Sequence, residues 1–262
     1  MKLLHLAPLL LLTPACVLTQ AGPPLIARHS VASDTDTTEY GTFEVEVGGS
    51  FDPGERKAFP VRLKHGLSEQ VEVYADWSVY EKTERVGQDD GEGIGDAGIG
   101  IRHRFWENTQ GTSTALEGRV SIPTGDEDEL TGTGNLDWFG SVMATQDFQG
   151  TRFNGWVEVG VLGDALSDDT EMQRNLAFSM ASNLGEDLIG YAELSRTFGE
   201  DIDPAYGTLG LGWRASPVTT LDFGVAIGMN DEAEDAVYFV GFTSNLGILG
   251  AQGPRVVEDG GY

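Results

Sequence analysis

Charged residues recur two or four positions apart along this chain, and that spacing is where its chemistry would lie. Arg62 and Lys64, Glu72 and Asp76, Arg102 and Arg104, and Glu117 and Arg119 form such sets, and Glu44, Glu46, Glu158, Glu193, Arg214 and Asp222 extend the pattern. A period of two puts side chains on one face of an extended strand. A face that carries both signs of charge can line a hydrophilic pathway and sort solutes in a transverse field. The same residues can instead pair into a network that fills a narrow interior, because buried charges must be paired either way. The pattern leaves conduction and plugging both open.

Acidic clusters offer a second kind of chemistry. They are Glu81, Glu84, Asp89, Asp90 and Glu92; Asp126 to Glu129; Asp164, Asp168, Asp169 and Glu171; Glu200, Asp201 and Asp203; and Asp231, Glu232, Glu234 and Asp235. Oxygen-rich segments suit hard cations such as calcium, and through them anionic lipopolysaccharide. None has the spacing of an EF-hand loop, and a solvated surface is the plainer reading. Catalytic sets are not evident. Beyond the leader the histidines are His29, His65 and His103, and the single cysteine is Cys16. They suggest neither a Ser-His-acid set nor a zinc site. The Gly91 to Gly100 string lacks the Lys-Ser/Thr ending of a phosphate loop. No cofactor, metal or enzymatic activity is expected. With 42 acidic against 16 basic residues and a net charge of -26, nucleic acid is excluded as a partner bound through its phosphates.

The elements that position these residues read as strands. Residues 1–21 have the form of a signal peptide, with Lys2, an apolar run from Leu3 to Leu12, and small residues around Thr19 to Ala21. Cleavage before a lipidated Cys16 is the alternative. No later run approaches the roughly 20 apolar residues of a membrane helix. Residues 22–40 read as an irregular periplasmic lead-in, and residues 248–262 as a C-terminal tail. Between them the period is two. Leu221, Phe223, Val225, Ile227 and Met229 share one face, and Val71, Val73, Ala75, Trp77 and Val79 another. Twelve segments follow, near 41–51, 57–65, 70–80, 95–106, 113–122, 136–147, 151–162, 172–184, 187–198, 205–215, 219–230 and 235–246. Tight links near 65–69, 106–112, 147–150, 185–187 and 216–217 alternate with longer or more acidic ones at 81–94, 123–135, 163–171, 199–204 and 231–234. Short turns at one end and long loops at the other are the signature of a transmembrane barrel. The expected fold is all-β: a transmembrane antiparallel up-and-down β-barrel of about twelve strands over 41–247, with both ends on the short-turn side. A soluble β-sandwich also alternates, but the leader and the charged, glycine-rich second face favour the barrel. Aromatic residues near strand ends (Tyr40, Phe51, Tyr80, Trp106, Trp138, Phe148, Phe198, Tyr206, Trp213 and Tyr238) suit interface girdles, or a path for an apolar solute.

Four strings bear on family. They are PVRLKHGLSEQVEVYADWSVY from Pro60, GIGDAGIGIRHRFWE from Gly93, ALEGRVSIPTGD from Ala115, and LGLGWRASPVTTLDFGVAIGMN from Leu209. In this order they resemble the outer-membrane family described as the putative transporter of the MetA pathway of phenol degradation. The resemblance covers about residues 41–247. It implies an outer-membrane channel or transporter passing small solutes, hydrophobic or aromatic compounds among them, by passive diffusion. Matching positions are Gly66, Gly95, Asp96, Gly100, Pro123, Thr124, Gly125 and Asp126, read as turn and loop-shaping residues. A departure is the tail from Gly247 to Tyr262, where many such barrels end on a strand closed by Phe. Expected partners are outer-membrane lipid and lipopolysaccharide, a small-molecule solute and the barrel-insertion machinery. The alternative is a non-conducting structural or surface barrel whose acidic loops bind cations, lipopolysaccharide or a partner.

Overall fold

The computed structural model describes residues 32–53, 56–83, 91–163, 170–200 and 202–247. The segment read as a signal peptide, the first part of the lead-in, the tail and the middles of the 81–94 and 163–171 loops lie outside the described residues. Thirteen strands run in chain order: β1 (Phe43–Phe51), β2 (Lys57–Ser68), β3 (Val71–Thr83), β4 (Gly91–Gly93), β5 (Ala97–Glu107), β6 (Thr112–Ile122), β7 (Asp137–Phe148), β8 (Thr151–Gly163), β9 (Thr170–Asn183), β10 (Leu188–Phe198), β11 (Ala205–Ser216), β12 (Thr219–Gly228) and β13 (Ala236–Gly247). All pairings between them are antiparallel. β4 and β5 both bond to β3, so they are two pieces of one stave. The first strand pairs with the last, and the ring closes on twelve staves. Closure removes the edge at which backbone donors and acceptors would go unpaired.

The alternation resolves into an inverted molecule. On β5, Ile99 and Ile101 point outward, 55% and 50% exposed, while Arg102, the next residue, points inward and is 4% exposed. Outward positions of the other staves repeat this with Leu116, Val142, Val157, Val159, Leu176, Phe178, Leu209 and Phe223. The inward set is mostly polar, with Glu46, Glu72, Ser141, Thr145, Asn154, Ser179, Glu193, Thr208, Thr220, Asp222 and Thr243 all buried. Aromatic rings collect at both ends of the outward face. Trp106, Phe148 and Trp213 are exposed near the turns, and Phe51 stacks on Tyr238 at the loop end, centroids 6.0 Å apart. Tyr206 has a different duty: its hydroxyl accepts the N–H of Glu234 in the β12–β13 loop.

Short and long connections alternate as the sequence implies. In the two-residue turn Gln149–Gly150 both residues have positive φ, 51° and 80°; two left-handed residues make the hairpin turn that matches strand twist. Several boundaries differ from the sequence reading by two or three residues. β3 runs on to Thr83 and β9 starts at Thr170, so both extend into segments read as acidic loop. Gly66, read as a turn residue, lies within β2, and the turn is made by Glu69 and Gln70.

Inside the barrel, rings lie flat on the wall because the residue opposite is glycine. A Cβ on Gly100 would fall 2.2 Å from the ring of Tyr74, one on Gly210 2.2 Å from Tyr191, and one on Gly224 2.5 Å from Phe239. Each glycine is the direct cross-strand partner of its ring. Gly100→Ala is therefore expected to tilt Tyr74 off the wall and cost about 1–3 kcal/mol, the usual range for overpacking. Denaturant titration of the folded barrel checks it. The double change Gly100→Ala with Tyr74→Ala should recover part of that loss, and strict additivity of the two would contradict the account.

Candidate functional site

The lumen is built by register. Glu72 on β3 stands opposite Arg102 on β5, Arg102 opposite Glu117 on β6, Glu117 opposite Ser141 on β7, Ser141 opposite Glu158 on β8, and Glu158 opposite Asn175 on β9. One polar row thus crosses six staves. Arg102 Nε donates to Glu117 Oε2 at 2.8 Å, and Tyr74 Oη donates to Glu117 Oε1 at 2.8 Å. Ser141 Oγ and Asn175 Nδ2 donate to the two oxygens of Glu158, each at 3.0 Å. The next rows toward the loop end carry more charge. Lys64 pairs with Glu44 and, at 3.0 Å, with Glu46. Asp76 is shared by Arg62 at 3.0 Å and Arg119 at 3.1 Å. Arg62 lies over the ring of Tyr74 and Arg119 over that of Phe139, at 4.4 and 5.0 Å from the centroids.

Of the proposed lumen residues, Arg62, Lys64, Glu72, Asp76, Arg102, Glu117 and Arg119 form one cluster on neighbouring staves, and Glu158 continues its row. Asp222 stands on β12, where its carboxylate lies over Gly241. Arg214 does different work. It donates to Glu186 O at 2.9 Å and Asn183 Oδ1 at 3.0 Å, holding the β9–β10 turn.

Arg104 and Glu193 meet a segment that the sequence reading placed outside the barrel wall without a role. Residues 32–39 of the lead-in enter the ring from the turn end. Ala32 N donates to Glu193 Oε2 at 2.9 Å on β10, Thr35 N to Thr145 Oγ1 at 3.1 Å on β7, and Thr38 N and Oγ1 to Glu72 Oε2 at 2.7 and 2.9 Å on β3. Ala32 packs with Ala115, Met143, Trp156 and Ala177, an apolar patch in an otherwise polar interior. Asp36 is gripped by Arg152 at 2.5 Å and Arg104 at 3.4 Å, and its carbonyl accepts Arg102 at 3.1 Å. Arg152 also reaches Asp34 at 3.4 Å and is itself held by Asp147 at 2.8 Å. The segment leaves over Gly66, where a Cβ would fall 2.2 Å from Glu39 O. Gly66 is a seat for a crossing chain. Asp34 and Asp36 were missed because the lead-in has no periodicity, and Arg152, on the inward parity of β8, was missed because its acidic partners lie in that segment. The one available signal was its polar run Ser33 to Thr38, the composition of a lumen residue set.

The glycine-aspartate strings come together at the loop end. Asp96 Oδ1 accepts the N–H groups of Thr124 and Gly125 at 3.0 and 2.9 Å, and Oδ2 accepts Thr133 N at 3.1 Å. Thr124 Oγ1 donates to Gly95 O at 3.3 Å and accepts Ala97 N at 2.8 Å. Asp126 Oδ1 caps the N–H of Asp128 at 3.0 Å. Pro123 to Asp126 and Gly95–Asp96 therefore fold one loop around a carboxylate. Among the described residues no three acidic, His or Cys side chains are grouped to hold a metal ion. His65 stacks on Phe43 and bonds Thr42 O, and His103 is exposed on the outward face opposite Val71 and Leu116.

No family model matches the chain, and no curated protein sequence matches it. Solved structures do. An outer-membrane channel from Pseudomonas putida F1 superposes with a TM-score of 0.66 at 10% identity, covering 81% of this chain and 98% of that one. The NanC porin gives 0.56 at 10% identity over 76% and 98%, and the KdgM porin 0.57 at 8% over 77% and 98%. The fold is that of outer-membrane channel barrels.

Burial and the neighbouring Asp36 carboxylate push the Asp34 carboxyl up from 3.8 to about 6, against the pull of Arg152 and Arg102. The docked group thus keeps its proton at a pH where a solvated one has lost it. Docking of the segment gains from this group as pH falls through about 6, and the gain is complete below about 4. A spin label on Ser33→Cys should be more mobile at pH 7.5 than at pH 5. Asp34→Asn should abolish the difference; mobility that rises on acidification would contradict the assignment.

Proposed function

We propose that this chain is an outer-membrane channel that passes small solutes by passive diffusion and holds its own lead-in as a removable constriction. The observation that carries the reading is a closed ring with an aliphatic exterior and a charge-lined interior, an inversion that suits lipid outside and water inside. The leader at residues 1–21 would export the chain, the insertion machinery would seat it, and the short turns would face the periplasm. The resemblance to the MetA-pathway family favours hydrophobic or aromatic solutes. The apolar patch of Ala115, Met143, Trp156 and Ala177 under Ala32 is a resting place such a solute could take once the segment moves. The alternative, a structural barrel that conducts nothing, draws support from the dense pairing of the lumen charges.

Planar-bilayer recording separates the two. Wild type should show small, frequently closed channels, and a chain lacking residues 32–39 should conduct several-fold more. Silence from both would leave only the structural barrel.

Selectivity offers a further check. On the described inward face the acids, Glu44, Glu46, Glu72, Asp76, Glu117, Asp137, Glu158, Glu193 and Asp222 among them, outnumber the bases Arg62, Lys64, Arg102, Arg104, Arg119, Arg152 and Arg214. Reversal potentials in a salt gradient should report cation preference, increased by Arg119→Gln and decreased by Glu158→Gln. The opposite order would refute a path along this row.

A further inference from the structure

The outward face carries basic side chains at one end only. Among the described strand residues these are Lys57, Lys82, Arg174 and Arg196. Lys57 opens β2 and Lys82 lies one residue from the end of β3, directly opposite it. Arg174 is the fifth residue of β9, and Arg196 is two residues from the end of β10. All four stand toward the long loops. The basic strand residues nearest the turns, Arg104, Arg152 and Arg214, belong instead to the inward set described above. The two outward pairs lie on opposite sides of the ring, one on β2 and β3, the other on β9 and β10.

The second pair is the better defined. Arg174 stands opposite Phe198, and Arg196 stands opposite Leu176, so the two guanidiniums are diagonal neighbours across the β9–β10 ladder. Arg196 lies over the ring of Phe198 at 4.8 Å from the centroid and holds Asp203 from the next loop at 2.5 Å. Arg174 alternates with Met172, Leu176, Phe178 and Met180 on the exposed face, and its polar contact is Met172 Sδ at 3.6 Å. No acidic side chain among the described residues answers it.

The height of these residues decides what can. β9 has 14 residues; at about 3.3 Å each and a tilt of roughly 40° it rises about 35 Å, against an apolar band of about 25 Å. Neighbouring staves end level at the turns, so the excess projects at the loop end. Arg174, four residues in from Thr170, then sits near the edge of the band, where headgroups begin. A guanidinium fork there matches a phosphate in shape and charge.

We propose that Arg174 and Arg196 bind a phosphate of the phosphorylated glycolipid of the outer leaflet, lipopolysaccharide, with Lys57 and Lys82 forming a second contact on the opposite side of the ring. The site rests on the outer-membrane placement proposed above. It makes no use of bridging cations; Asp203 of the acidic 199–204 loop orients Arg196, and Phe198 gives the headgroup an aromatic floor.

The test uses the full chain purified in detergent, incubated with diphosphorylated lipid A, repurified and assayed for retained lipid by mass spectrometry. Wild type should retain lipid A and should not retain its dephosphorylated form. Arg174→Gln with Arg196→Gln should retain about tenfold less, the scale of losing charge-assisted bonds. The double Lys variant should fall between. Single Arg174→Gln, which breaks no ion pair among the described residues, should show a smaller loss and guards against misfolding of the double variant. Equal retention by wild type and both Gln variants overturns the site, as does equal retention of dephosphorylated lipid. Phosphatidylglycerol held as well as lipid A overturns the choice of a glycolipid. Currents of the same preparations are read in parallel. Loss of wild-type current defeats the channel reading, and loss of the retention difference defeats the lipid site.

Discussion

The pairing of β1 with β13, from Phe43 beside Gly247 to Phe51 beside Tyr238, is the constraint on which the remaining features depend. A twelve-stave sheet left open would present two rows of unpaired backbone groups, each costly away from water. Closing the ring fixes the register of every stave at once. Because side chains alternate, that register also decides which residues face out. The aliphatic exterior and the charged interior are therefore one decision. A slip of β5 or β6 by a single residue against its neighbours would put Arg102 or Glu117 into the outer band and Ile101 or Leu116 into the lumen.

The interior that results is held by compensation. Arg102 has side-chain exposure of 5%, and its partners Glu117 and Glu72 have 9% and 1%. Bringing such groups out of water is expensive, and the pairing recovers that cost only when geometry and extra hydrogen bonds are good. Here Tyr74 Oη, Thr38 N and Thr38 Oγ1 supply the additional donors. The glycines opposite the rings matter for the same reason. With Tyr74 flat over Gly100, its hydroxyl reaches Glu117 without crossing the lumen.

Most of the fold was legible in the sequence because the period-two pattern and the rhythm of connections each report the same closed sheet. Strand ends near Thr83 and Thr170 were not, since a strand that projects past the membrane becomes polar on both faces and looks like loop. The charge cluster of Arg62, Lys64, Glu72, Asp76, Arg102, Glu117 and Arg119 was legible through parity alone. Which acid meets which base was not, because that depends on ladder register between distant segments. Arg214 shows the limit: it has the right parity, but its position beside a turn gives it backbone partners. The lead-in escaped for a different reason. It has no repeat of its own, and its conformation is imposed by donors and acceptors on β3, β5, β7, β8 and β10.

That dependence bears on whether the ring can open. The lead-in meets the wall with both signs: its backbone N–H groups answer Glu193 and Glu72, and its Asp34 and Asp36 answer Arg102, Arg104 and Arg152. Among its described residues, 32–39, the apolar contribution is the small side chain of Ala32. Hydrogen bonds and ion pairs of this kind exchange with water at a net cost of about 0.5–1.5 kcal/mol each for neutral donors, more when one group is charged. A segment seated by large apolar side chains would lose that burial outright on leaving. This one exchanges polar contacts for solvent in a lumen whose walls are already polar, so both its seated and its withdrawn positions leave the wall groups with partners. The excess of acid over base on the inward face is then not surplus. Glu193 and Glu72 are acceptors that the seated lead-in's backbone fills, and that water or a cation would fill on its withdrawal.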